Sequence, residues 1–124
     1  MPGGKLPRRE TELVILRVAN LCRSGYEIGH HIRLGRKAGL SEEDFELLTL
    51  AIDAHDWSER EAAMLIAVDE LHSDRNLNDS TWAALRRHLS ERECIELLLL
   101  VGHYEMIATF LNTLRVPQDW PKER

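Results

Sequence analysis

Dense helix punctuation constrains this chain more than any other feature. Ser58-Glu59-Arg60-Glu61 and Ser90-Glu91-Arg92-Glu93 both have the spacing of a capping box, in which a serine and a glutamate satisfy opposite ends of the first helical turn. Ser41 reads as a third cap, followed by Glu42, Glu43 and Asp44 at the positive end of a helix. Apolar residues between these signals recur at helical spacing, and strand-like alternation is nearly absent. An all-α domain of about six helices, oligomeric, is expected.

The boundaries follow from the breakers. Residues 1–7, rich in glycine and proline, read as a flexible lead-in, residues 8–117 as one helical domain and residues 118–124 as a tail. A first helix is expected from about Arg9 to Arg23, broken by Ser24-Gly25, and a second from Tyr26 to Lys37, stopped by Gly39 in a left-handed conformation. Ser41 opens a third helix, and His55-Asp56-Trp57 reads as a loop. Ser58 opens a fourth helix that lasts to about Ser73. Asn76 to Ser80 form a turn before a short fifth helix carrying Trp82, Leu85 and Leu89. The last helix runs from Ser90 to near Val116-Pro117 and is apolar on almost every side, which predicts that it lies centrally or is buried between subunits.

Composition narrows the function classes. The net charge of -5 disfavours nucleic-acid binding, which needs a dominant basic face. Short basic clusters, such as Arg33, Arg36 and Lys37, read either as solvated helix surface or as steering for a small anion, with Arg33 the best placed. Cys22 and Cys94 lie in no disulfide or metal spacing, which points to free thiols in a reducing compartment. The N-terminus lacks the apolar stretch of a signal peptide, and the unbroken apolar run Leu97–Val101 is too short to span a bilayer. A cytoplasmic location, with no membrane or nucleic-acid partner, is expected.

Chemistry concentrates at the start of the second helix. Glu27 and His31 are four residues apart, so they share a helical face, where a carboxylate orients the imidazole and raises its pKa. Gly25 and Gly29 leave room for a ligand or a neighbouring helix. The same pair also reads as a structural ion pair, and a closed, solvent-free contact would favour that reading. His103 lies in the last helix, seven residues after Glu96, and is expected either to be buried and satisfied by that carboxylate or to line a pocket. Glu27-Ile28-Gly29-His30 and Asp69-Glu70-Leu71-His72 have carboxylate-x-x-His spacing, and a di-iron site would further need Glu12 and Glu96. Chance matches are easy among 21 acids and six histidines, so no metal and no cofactor are expected. Trp57, Trp82 and Trp120 read as packing residues.

The run Arg9-Glu10-Thr11-Glu12-Leu13-Val14-Ile15-Leu16-Arg17, then Tyr26-Glu27-Ile28-Gly29-His30-His31 and Ala38-Gly39-Leu40-Ser41, resembles the carboxymuconolactone decarboxylase family, which includes the AhpD-like alkylhydroperoxidases. The segments Asp69-Glu70-Leu71-His72, Thr81-Trp82-Ala83-Ala84-Leu85 and Val101-Gly102-His103-Tyr104 extend the likeness over Leu6 to Pro117. The resemblance implies an all-α fold assembled as dimers, trimers or hexamers.

The peroxidase branch uses a glutamate, a Cys-x-x-Cys pair and a histidine four residues beyond it. Glu12 and His31 take the glutamate and histidine positions, but Ser24 and Glu27 stand where the cysteines should be. Cys22 misses the motif by two residues, about 200° around a helix. The resemblance therefore implies the decarboxylase side: cofactor-free lyase or isomerase chemistry on a small organic acid or lactone. His31 is the expected acid/base, with Glu27 orienting it and Glu12 assisting, while His103, Ser24 and Arg33 would bind substrate. The alternatives are an alkylhydroperoxidase of peroxiredoxin type and a non-catalytic ligand-binding or assembly subunit.

Overall fold

A computed structural model describes residues 4–117. Six helices follow in order: α1 (Arg8–Leu21), α2 (Gly25–Lys37), α3 (Glu42–Leu47), α4 (Glu59–Asp74), α5 (Asp79–His88) and α6 (Glu91–Thr113). No strand occurs among the described residues. The all-α expectation holds, and the expected boundaries lie within a few residues of those observed. The expected tail, 118–124, and with it Trp120, lies outside the described residues.

Serines 41, 58 and 90 each cap the helix they precede. Ser41 and Ser90 close full capping boxes, with Asp44 and Glu93 reaching back to the cap N–H. Ser58 closes only half of one. Its hydroxyl accepts from the Glu61 N–H at 3.1 Å, while the Glu61 carboxylate turns to Arg9 at 2.8 Å. A tertiary ion pair has displaced the local hydrogen bond.

Three helices end alike. After α2, Gly39 at φ +96° lets the Leu40 N–H reach the Gly35 carbonyl at 2.9 Å and its own N–H reach Arg36 at 3.1 Å, a Schellman ending. The ends of α1 and α6 repeat this pattern with Arg23 and Arg115 at positive φ.

The central helix is α1, not α6. Every residue from Glu10 to Ala19 is buried, and α1 packs against α2, α4 and α6. Its apolar residues divide between two clusters. Val14, Ile15 and Val18 pack with Met64, Val68, Leu97 and Leu100, while Leu13 and Leu16 pack with Leu40, Leu48, Trp57 and Leu65. By contrast, α6 buries Cys94, Leu97, Leu100, Val101 and Ala108 on one side and leaves Leu99, Met106 and Phe110 about 60% exposed on the other. Hydropathy misplaces the centre because α1 carries charges, yet each of those in its buried stretch is paired. Glu10 accepts a forked pair from Arg60 at 2.7 and 3.0 Å. Arg17 makes a fork to Asp69 at 2.7 and 2.8 Å, and also donates to the carbonyls of Leu48 and Leu50.

The lead-in is also tied down where it is described. Leu6 is buried in the core, and the N–H groups of Lys5 and Leu6 donate to Glu96 of α6 at 2.6 and 3.2 Å. Although the unbroken run Leu97–Val101 is short, α6 as a whole is long and apolar enough to cross a membrane by length and composition. Its inner face is nevertheless part of the core, where a helix of that composition is ordinary.

Close approach of α2 to α3 depends on Gly35, where a Cβ would meet the Phe45 ring at 2.9 Å and Leu40 at 3.3 Å. Gly35→Ala is expected to lower stability by about 1–3 kcal/mol through overpacking, despite the better helix propensity of alanine. Urea unfolding followed by circular dichroism measures it, and an unchanged midpoint contradicts the tight fit.

Candidate functional site

The best candidate centre joins α1 and α2. Glu12 lies near the start of the buried stretch of α1, and Glu27 and His31 lie one turn apart on the inner face of α2. The break at Arg23-Ser24 folds α2 back against α1. Ser24 is fully buried and caps α2, its hydroxyl accepting from the Glu27 N–H at 3.5 Å. That places the carboxylate of α1 against the imidazole of α2. His31 Nδ1 is 2.7 Å from Glu12 Oε1. On its other side, Nε2 is 3.2 Å from Glu27 Oε2. All three are nearly closed off: Glu12 is 3%, His31 5% and Glu27 6% exposed.

The two carboxylates play unequal parts. Glu12 makes the short hydrogen bond and so orients the ring, the task expected of Glu27. The Glu27 contact is an ion-pair contact without hydrogen-bond alignment. Glu27 Oε2 is buried and accepts no well-aimed hydrogen bond among the described residues. A buried carboxylate oxygen left in that state is costly and is usually explained by function or by a missing small partner. Exposed Arg8 lies 3.8 Å from the far oxygen of Glu12 and adds little there.

Burial works against a charged imidazole, but the hydrogen bond to Glu12, the contact with Glu27 and their two charges outweigh it. The His31 pKa is pushed up to about 9. Rings pack edge-on around His31: His30 at 5.0 Å and Tyr104 at 5.4 Å between centroids. The Tyr104 hydroxyl is raised above its usual pKa, by burial first and then by the charges of Glu27 and Glu12. Tyr104 therefore belongs to the site, although the sequence marks it only as part of the segment Val101-Gly102-His103-Tyr104 and gives it no role. Its phenol is the available signal, since a buried tyrosine needs a polar neighbour.

The other expected residues are dispersed. His103 is exposed, with its ring against the outer edge of Tyr104 at 5.1 Å, and is not the buried partner of Glu96. Glu96 is committed to the Lys5 and Leu6 backbone. Arg33 is exposed and lines a surface hollow of about 270 Å³ with His30, Leu34 and Lys37. The di-iron pattern does not assemble: Asp69 is paired with Arg17, and Glu70 caps α5 through Asn78 and Thr81. Cys22 faces His72 and Glu105, with its pKa pushed up to about 12 by burial and by the Glu105 charge.

This six-helix arrangement recurs in crystal structures of AhpD-like and peroxidase-related proteins. An Agrobacterium tumefaciens protein of unknown function, named as a candidate AhpD antioxidant defence protein, superposes with a TM-score of 0.83 at 23% identity, over 95% of this chain and 81% of that one. An uncharacterized peroxidase-related protein from Silicibacter sp. TM1040 superposes with a TM-score of 0.86 at 15% identity, over 97% of this chain. The present chain spans 64% of that protein's length. No curated protein matches the sequence. The sequence pattern of the carboxymuconolactone decarboxylase family matches residues 1–69, which include Glu12, Glu27 and His31, and the chain belongs to that family.

Because its folded pKa lies above that of the unfolded chain, His31 stabilises the fold fully below about pH 6.5, and this contribution is lost as pH rises through about 9. Wild-type melting temperature is expected to fall across that window, and the slope to flatten in His31→Gln. Glu12→Ala, which leaves a buried cation without its main partner, should cost about 3–5 kcal/mol at pH 7. Thermal melts between pH 6 and 10 check both. A parallel slope in wild type and His31→Gln would assign the titration elsewhere.

Proposed function

We propose that Glu12, Glu27 and His31 form a cofactor-free acid/base centre acting on a small carboxylated substrate of the lactone type, with lyase or isomerase chemistry. The observation that carries this reading is the buried imidazole between two carboxylates, one of them holding an oxygen without a well-aimed hydrogen bond. Glu12 fixes Nδ1–H, which leaves Nε2–H and Glu27 as the pair that exchanges a proton with substrate. Once a carboxylated lactone has lost carbon dioxide, the electron pair left behind needs a proton at carbon, and an imidazolium is a suitable donor at neutral pH. The basic hollow of Arg33 and Lys37 would receive the substrate carboxylate. His30 lines that hollow and touches the His31 ring, so its movement would open the way inward. Peroxidase chemistry is the weaker reading. Ser24 and Glu27 fill the cysteine positions, and Cys22 faces His72 rather than His31.

One observation favours a non-catalytic role. The triad is almost sealed, which suits an ion pair that locks α2 to α1 in a ligand-binding or assembly subunit. Turnover separates the two readings. Against a panel of small carboxylated lactones, His31→Gln is expected to lower turnover by about 10²–10⁴-fold while its circular dichroism spectrum stays that of a folded protein. A turning-over wild type matched by His31→Gln would remove the acid/base reading.

Self-association belongs to the same proposal. Ile95, Leu99, Gly102, Met106, Phe110 and Leu114 lie at steps of three or four along the exposed side of α6, an apolar stripe suited to a second copy of the chain. Leu99→Glu with Phe110→Glu should halve or further reduce the mass seen by light scattering, with little change in helicity. A wild type that is already monomeric at tens of micromolar would contradict it.

A further inference from the structure

We infer that Cys22, His72 and Glu105 form a binding site for a borderline-soft divalent cation of the zinc class, separate from the Glu12–His31–Glu27 centre. The three residues come from different helices: Cys22 caps the end of α1, His72 lies in the last turn of α4, and Glu105 lies past the middle of α6. Cys22 Sγ is 4.0 Å from His72 Nδ1, which is 2.6 Å from Glu105 Oε2. One donor atom from each residue lies within 4.8 Å of the other two. Thiolate, imidazole and carboxylate are the donor types that zinc takes, and three protein ligands with an open fourth position is the arrangement of its reactive sites.

The distances fit with small adjustments. Zinc bond lengths of about 2.0–2.3 Å at tetrahedral angles put sulfur and nitrogen about 3.6 Å apart, and nitrogen and oxygen about 3.4 Å apart. Binding would therefore draw the thiol in by about 0.4 Å and replace the proton shared by His72 and Glu105, moving those atoms apart by a further distance of about 0.8 Å. Such changes lie within side-chain adjustment. The backbone beneath them is fixed: the Cys22 N–H donates to Val18 at 2.9 Å, and its carbonyl accepts from Asn112 of α6 at 2.9 Å.

Charge and access agree. A thiolate, a carboxylate and a neutral imidazole neutralise a divalent ion, whereas without one burial and Glu105 hold Cys22 as a thiol. The His72 and Glu105 side chains keep 32% and 23% of their surface exposed, so an ion has a way in. Glu105 also borders a groove of about 300 Å³, lined with Leu71, Arg75, Leu98, Val101 and Gly102. That groove leaves room for a water or a small anion at the fourth position, and Arg75 supplies a cation to hold the anion. Arg75 also opposes the metal's own charge, which favours an occupied, anionic fourth position.

The test uses full-length protein without a histidine tag, stripped with chelator and titrated with Co²⁺ and then Zn²⁺. One equivalent of Co²⁺ should bind with a thiolate-to-cobalt charge-transfer band and tetrahedral d–d absorption, both bleached by Zn²⁺, and Zn²⁺ should raise the melting temperature. Cys22→Ser should abolish the charge-transfer band. Cys22→Ser and Glu105→Gln should each weaken binding by more than about 100-fold, since even outer-shell partners are worth 10–100-fold. Cys94→Ser and His103→Ala should leave binding unchanged. A wild type without the thiolate band, or binding that survives Cys22→Ser and Glu105→Gln, would overturn the site. Should Cys22→Ser not fold, Glu105→Gln together with the wild-type band decides the matter.

Discussion

The structure depends on the pairing of charges along a buried helix. α1 sits at the centre with Glu10, Glu12 and Arg17 facing inward, and each meets an opposite or titratable partner on another element: Arg60, His31 and Asp69. A buried charge without a partner is among the costliest things a fold can contain, so these pairs restrict how α2 and α4 can approach. Apolar packing on the same helix then has only one arrangement to fill. Arg17 extends the network to the Leu48 and Leu50 carbonyls, so the end of α3 is placed by the same side chain.

Local signals carried the helix order well. Caps, glycine stops and capping boxes act over one turn and are visible in a single sequence, so Ser41, Ser58, Ser90 and Gly39 mark their boundaries closely. The layering was not legible from hydropathy. α6 looked central or buried between subunits because it is apolar, and α1 looked less central because a sequence does not show which of its charges find partners. The contacts of Lys5 and Leu6 were likewise not legible, since Glu96 lies 90 positions from Leu6.

Site legibility divides along the same line. Glu27 and His31 share a helix, so a spacing argument reaches them, and the resemblance adds Glu12. Tyr104 closes around them from α6, and only its polar phenol within an apolar helix marks it in the sequence. His103 and Arg33 were assigned by residue type, and the fold puts both on the surface. Cys22 stands two residues short of the motif, and in the fold it caps the end of α1 on the side of α4 and α6, where His72 and Glu105 stand.

Tyr104 and Glu105 are sequence neighbours on α6, about 100° apart around its axis, yet one packs its ring against His31 and the other its carboxylate against His72. α6 thus acts as a shaft with two teeth set at different angles. Both contacts are carried by one helix, so any rotation of α6 about its axis would move the Tyr104 ring and the Glu105 carboxylate together.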